Sequence, residues 1–334
     1  MNTEFHYWIT GLIAKRAGFD DDESRIIAYS SQFVDDNDDE IPVFDEENDV
    51  VPSYKNLITQ TMNILLPRRD IMKIYPLFHF IPGDQDKATP RKDGRTHCLN
   101  TTPDSSYAQK IIAYALQSAA SKYKANDTSG LYRLGITTHT YVDSWAHQNF
   151  VGWFDEFNAI GSNLTPDIGH ADALHHPDWV SHRWNDHRLQ DPNVDNSLRF
   201  LAAAKKTYAC YLDFQQKIGN SPNDSWNLLE SDLIEIFGPT YSGDCEKGAD
   251  ARIAGYKKLS GLPDYDEHEW IASVADEKTV FNGATNEYDR KYVWKDPATK
   301  AQSHWYRFQE GAKEHMICAI DILKPVFEQA GIHV

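Results

Sequence analysis

Leu134-Gly-Ile-Thr-Thr-His139-Thr-Tyr-Val-Asp143-Ser-Trp-Ala-His147-Gln-Asn149-Phe150 is the stretch on which the fold turns. Leu134, Ile136, Tyr141, Val142, Trp145, Ala146 and Phe150 recur at three-to-four spacing, which predicts a buried helix over 130–150. His139, Asp143 and His147 stand four residues apart, and at about 100° per residue their side chains span an arc of about 80° on one face. Such spacing also suits a hydrogen-bonded ladder on an exposed helix. The apolar flanks argue against exposure, and buried imidazoles and carboxylates need partners. Imidazole and carboxylate together are the usual ligands of zinc, iron and manganese, and a catalytic zinc takes about three of them plus a water.

Working outward, Phe5, Trp8, Ile9, Leu12 and Ile13 mark a first helix closed by Gly18, and Glu23 to Val34 marks a second that delivers Asp35 at its end. Further helical patterns cover Ser105 to Lys124, Ser197 to Ile218, Ser225 to Phe237 and Gln302 to Gln329. Ile41 to Tyr54, with two prolines and many acids, reads as a surface loop or small hairpin. Strand alternation competes only near Lys291 to Trp294. There is no repeat and no low-complexity linker. The expectation is therefore an all-α fold: a single multi-helix bundle domain over 1–334 with long irregular loops at 38–52, 81–104 and 151–195. The metal-site segments fall within 1–180, and helices over 195–330 complete the bundle.

At 334 residues and 41% hydrophobic, the chain can bury a substantial core. No apolar run approaches the roughly 20 residues that span a bilayer. The N-terminus has no basic leader, which with the absence of a CxxC pair among Cys98, Cys210, Cys245 and Cys318 points to a cytoplasmic, reducing setting. A net charge of −17 repels nucleic acid at long range, so extended polynucleotide binding is disfavoured.

Seven of the fourteen histidines lie between residues 139 and 187. The loop Asp167-Ile-Gly-His170-Ala-Asp172-Ala-Leu-His175-His176-Pro-Asp178 packs three histidines and three acids into twelve residues. It reads either as a polar surface loop or as a segment folding a ligand back onto the helix. His170 is the preferred ligand because Gly169 lets backbone approach, while His175, His176, His182 and His187 read as exposed or supporting. His6 and His79 stand alone among apolar neighbours, and spacing by itself leaves them as core histidines.

The 134–150 segment resembles the helix motif of the superfamily that contains bacterial zinc-dependent phospholipase C and the fungal single-strand-specific nucleases. It is most similar to the heterokaryon-incompatibility C-like branch, in which an Asp is followed by Ala-His-x-Asn-aromatic. His6 in Phe-His-Tyr-Trp-Ile-Thr, Asp35 in Ser-Ser-Gln-Phe-Val-Asp, His79 in Phe-His-Phe and Gly169-His170-Ala match that family's other site segments. The resemblance implies a helical bundle, a cluster of up to three zinc ions and cleavage of phosphodiesters. It makes His6, Asp35, His79, His139, Asp143, His147 and His170 the expected metal ligands. Two departures stand out: only three residues separate Asp143 from His147, and Leu174 occupies the place of the carboxylate that follows the late His, leaving Asp172 or Asp178 to substitute.

Seven ligands suffice for two zinc ions sharing a carboxylate and barely for three, with iron or manganese as alternatives. On this reading Asp143 bridges metals and Asp35 orients or deprotonates a metal-activated water. The expected partner is a phosphodiester, phospholipid first and single-stranded nucleic acid second. Trp145, Trp153, Phe154, Trp179 and Trp184 are available for acyl chains or bases. A metal-stabilised toxin or interaction protein and a di-iron oxidase are the competing classes. The phospholipases and nucleases also use their terminal amine as a ligand. Met1 lies five residues before His6, about 7 Å along a helix axis, so the expectation here is that His6 serves that corner alone.

Overall fold

The computed structural model describes residues 1–61, 73–161, 167–282 and 287–333. A π-turn, Glu4–Ile9, runs directly into α1 (Thr10–Ala17), which ends at Gly18 in the left-handed conformation. Asp20 then caps α2 (Asp21–Asp36) in a reciprocal pair with Glu23. Asp35 therefore falls in the last turn of α2. The short α3 (Ile74–Phe78) stops at His79. Ser105 caps α4 (Ser106–Lys124), and α5 (Gly130–Ala146) follows after a turn. Asp195 caps the long α6 (Asn196–Ile218), and α7 (Trp226–Phe237), α8 (Ala249–Ser260), α9 (Glu269–Val274) and α10 (His304–Gln329) complete the helices.

Of the residues in α5, only Arg133 escapes full burial. A helix buried on every side must be surrounded, and α2, α3, α4, α6 and α10 all pack on it. Gly135 permits the closest of these approaches, because a Cβ there would lie 2.5 Å from the carbonyl oxygen of Ile27 on α2. One apolar cluster runs through these contacts from Met1 to Ile332. The helix ends four residues short of the expected Phe150. Arg199 of α6 takes up the terminal carbonyls of Trp145 and Ala146, and the chain turns through Asn149 at positive φ.

The all-α expectation needs correction: the protein is mostly helical but carries a mixed four-stranded sheet and a hairpin. The sheet has the order β2-β1-β6-β5, from β1 (Pro42–Phe44), β2 (Tyr54–Lys55), β5 (Ala275–Asn282) and β6 (Glu287–Trp294). β1 is antiparallel to β2, which is the hairpin the 41–54 stretch suggested, and parallel to β6. β3 (Arg183–Asn185) and β4 (Asn193–Asp195) form the separate hairpin. Edge strand β5 carries Asp276, Glu277 and Lys278 in succession, mostly exposed, so no apolar alternation betrays it. α8 is hidden for a related reason, since its buried residues are Arg252, Tyr256 and Ser260. Among the described residues no helix is long and apolar enough to cross a membrane.

Candidate metal centre

His139 and Asp143 lie one turn apart on α5, fully buried, and face the C-terminal end of α2, where Asp35 emerges. His79 follows α3, His147 caps α5, and His6 projects from the π-turn, a distortion often found at functional sites. Gly169, at positive φ, has its missing Cβ 2.5 Å from the ring of Phe80, which in turn stacks on His147. That close approach brings His170 over the end of α5.

The imidazoles are oriented by backbone carbonyls. His139 Nδ1 lies 2.7 Å from Ser31 O, His79 Nε2 2.9 Å from Thr59 O, His147 Nδ1 2.9 Å from His79 O, and His170 Nδ1 2.8 Å from Leu174 O. A carbonyl only accepts, so each of these nitrogens carries a proton, and in the neutral ring the other nitrogen is left to present a lone pair. His139 Nε2 and His79 Nδ1, both lone-pair nitrogens by this argument, face each other at 3.0 Å. In neutral rings, two acceptors that close call for a proton or a metal ion between them. Holding the far nitrogen in this way is how metal-ligating histidines are fixed.

Asp143 Oδ2 joins them, 3.2 Å from His139 and 3.5 Å from His79, and Asp35 Oδ1 lies 3.7 Å from both. For ligand bonds of about 2.0–2.1 Å, a tetrahedron has edges of about 3.3 Å. The observed separations scatter around that value. Asp143 Oδ1 turns the other way, to His6 Nε2 at 3.1 Å. A third group closes the row, with Asp178 Oδ1 3.4 Å from His147 Nε2 and Oδ2 3.4 Å from His170 Nε2. Three groups of histidine and aspartate can thus hold metal ions: His6, Asp35 and His139; His79, His139 and Asp143; and His147, His170 and Asp178.

The N-terminal expectation is overturned. The Met1 amine is buried 2.5 Å from Asp143 Oδ1, 3.4 Å from Asp178 Oδ1 and 3.5 Å from His147 Nε2. Axial rise misled because helical side chains lean back toward the N-terminus, so His6 reaches the same oxygen as the amine. Asp178 rather than Asp172 partners His170. Leu174, at positive φ, folds the loop back, while Asp172 accepts the backbone N–H groups of Ile160 and Gly161.

Burial leaves the cluster poor in hydrogen bonds. Both ring nitrogens of His6, Asp143 Oδ2 and Asp178 Oδ1 are buried without a hydrogen-bond partner among the described residues. Burial, then the neighbouring charge of His139, holds His6 well below its usual range, and burial lowers His147 to about 4. Burial alone would raise Asp143, but His147, the terminal ammonium, His139 and His6 outweigh it and hold the carboxyl well below its usual range. His139 moves the other way: burial would lower it, but Asp143 and Asp35 outweigh that and raise it, and a bound cation would have to displace that proton to have neutral imidazole beside ionised carboxylate. Asp35 differs. Its carboxyl is raised by burial, yet its side chain is 26% exposed against 1% for Asp143.

Of the cluster, Asp35, His79, His147, His170 and Asp178 reach a cleft of about 420 Å³ that is also lined by Tyr75, Phe80, Ile168, Trp179, Gln60 and Glu246. The structure brings together His6, Asp35, His79, His139, Asp143, His147 and His170. Sequence reasoning missed Tyr75, Phe80 and Glu246 and left Asp178 open. Of the five aromatic residues singled out in sequence, Trp179 lines this cleft, Trp145 is buried and Phe154 is exposed. His187 and His175 are exposed as expected, but His182 is fully buried, 2.8 Å from His176. No curated protein and no solved structure matches the chain. Residues 1–323 match a family described as of unknown function (DUF6765), and the chain is a member of that family.

Proposed function

We propose that the protein is a metal-dependent phosphodiester hydrolase, phospholipase C-like, holding two or three zinc ions. The observation that carries this reading is the pair of facing imidazole nitrogens, His139 Nε2 and His79 Nδ1, 3.0 Å apart with both far nitrogens committed to carbonyls. The resemblance of the 134–150 segment to zinc phospholipases and nucleases supplies the choice of metal and reaction. Bound cations would supply Lewis acidity toward a phosphoryl group and a water acidic enough to attack near neutral pH.

Each residue then has a task. Asp143 directs one oxygen to His6 and Met1 and the other to His79 and His139, which suits a carboxylate shared by two ions. His147, His170 and Asp178, which line the cleft, would hold a further ion. Asp35, partly exposed and raised by burial, orients the attacking water and takes its proton at Oδ2. Tyr75, Phe80, Ile168 and Trp179 offer apolar walls to the ester substituent, which favours a lipid over a polynucleotide for a chain of charge −17.

The test is hydrolysis of bis(p-nitrophenyl) phosphate, then of phosphatidylcholine vesicles and single-stranded DNA at equal phosphate. The expected result is zinc-dependent cleavage of the chromogenic ester and faster cleavage of lipid than of DNA. Faster DNA cleavage would replace the lipase reading with the nuclease one. A zinc-loaded protein inert toward all three would overturn the proposal.

A further inference from the structure

Glu4 precedes His6 by two residues and is only 2% exposed. A buried carboxylate must be paired, and the partners come from α8. Arg252 Nε donates to Glu4 Oε1 at 2.6 Å and Nη2 to Oε2 at 2.7 Å, a bidentate fork, and the Tyr256 hydroxyl donates to Oε1 at 2.9 Å. Arg252 Nη1 also holds the carbonyl of Lys247 at 2.6 Å, which fixes the approach to α8. On that approach Glu246 accepts from Asn2 Nδ2 at 3.0 Å. The Asn2 carbonyl in turn accepts the backbone N–H groups of Phe5 and His6 at 3.0 and 3.1 Å. Residues 246–256 thus grip positions 2 and 4 of the segment whose His6 and amine meet at Asp143 Oδ1.

We infer that Arg252 and Tyr256 are positioning residues for the metal corner formed by His6, Met1 and Asp143, so that α8 completes a site whose ligands all lie before residue 180. This assignment rests on the metal reading above. An ion pair that merely stabilised the fold would affect all bound metal alike. A positioning pair affects one corner selectively, because Glu4 acts on His6 but touches none of His79, His147 or His170. Supporting partners of metal ligands typically alter affinity by about 10–100-fold.

The experiment is a zinc titration of the full chain against a chromogenic chelator, with far-UV circular dichroism on the same samples, for wild type, Arg252→Gln, Arg252→Lys and Tyr256→Phe. Wild-type zinc content tests the metal reading itself, and a wild type that binds no zinc ends both claims. Given wild-type binding, the expected result is a folded Arg252→Gln that lacks one equivalent, partial recovery in Arg252→Lys, and a loss of about tenfold in the affinity of one equivalent only in Tyr256→Phe. Unchanged stoichiometry and affinity in folded variants, or uniform weakening of every equivalent, would overturn the inference and leave the metal reading standing. If Arg252→Gln fails to fold, Tyr256→Phe decides alone.

Discussion

The Met1 amine lies 2.5 Å from Asp143 Oδ1, the same oxygen that His6 Nε2 approaches at 3.1 Å. Burial by itself would lower the amine, but Asp143, Asp178 and Asp35 outweigh it and hold it at about 10. A tag joined to Met1 would replace that amine with a peptide nitrogen, which has neither its charge nor, once deprotonated, its lone pair. Tagged protein should carry about one metal equivalent less than untagged protein and regain it when cut back to Met1, as elemental analysis would read. Equal metal content in both forms would mean that the amine is not part of the cluster.

Asp143 and His187 offer a sharp contrast on neighbouring segments. Asp143 is 1% exposed and meets five nitrogens, whereas His187 is exposed and offers its backbone carbonyl to Lys92. Asp143→Ala should cut phosphodiester hydrolysis by more than about a hundredfold, beyond the usual cost of losing a mere supporting partner, and should lower metal content. His187→Ala should do neither. Parallel losses in the two variants would show that Asp143 has no special part in metal binding or hydrolysis.

His315 is a core histidine with no part in the cluster, and it makes a clean acid-sensitivity test. Burial lowers it to about 4 in the fold, where Nε2 donates to Leu77 O at 3.0 Å and Nδ1 accepts from Thr137 Oγ1 at 2.9 Å. In the unfolded chain it titrates near 6.5. Between those values the unfolded state binds a proton that the folded state does not. The stability contributed above pH 6.5 is therefore lost as pH falls toward 4. Urea unfolding at pH 7 and pH 5 should show wild type losing about 2 kcal/mol more than His315→Met. The same pH dependence in both would contradict a neutral buried His315.

Legibility in the sequence followed the chemistry of burial. α5 was readable because its apolar residues and its ligands share one period, and α2 because apolar spacing over Glu23 to Val34 carries it to Asp35. His6 and His79 were not readable from spacing, since each is a lone histidine among apolar neighbours. They entered only through the family resemblance. α8 and β5 escaped because one buries Arg252 and Tyr256 and the other buries little at all. Asp178 was ambiguous because only the left-handed turn at Leu174 decides which acid meets His170. The Met1 amine escaped because axial rise was weighed without the backward lean of helical side chains.

Elemental analysis of protein purified without chelator tests the central claim most directly. Three groups of histidine and aspartate, with facing ring nitrogens at His139 and His79 and oxygens on Asp143 and Asp178 that lack hydrogen bonds among the described residues, predict at least two equivalents of metal per chain, zinc foremost. Less than one equivalent, in protein that stays below one after incubation with excess zinc and gel filtration, would contradict the account.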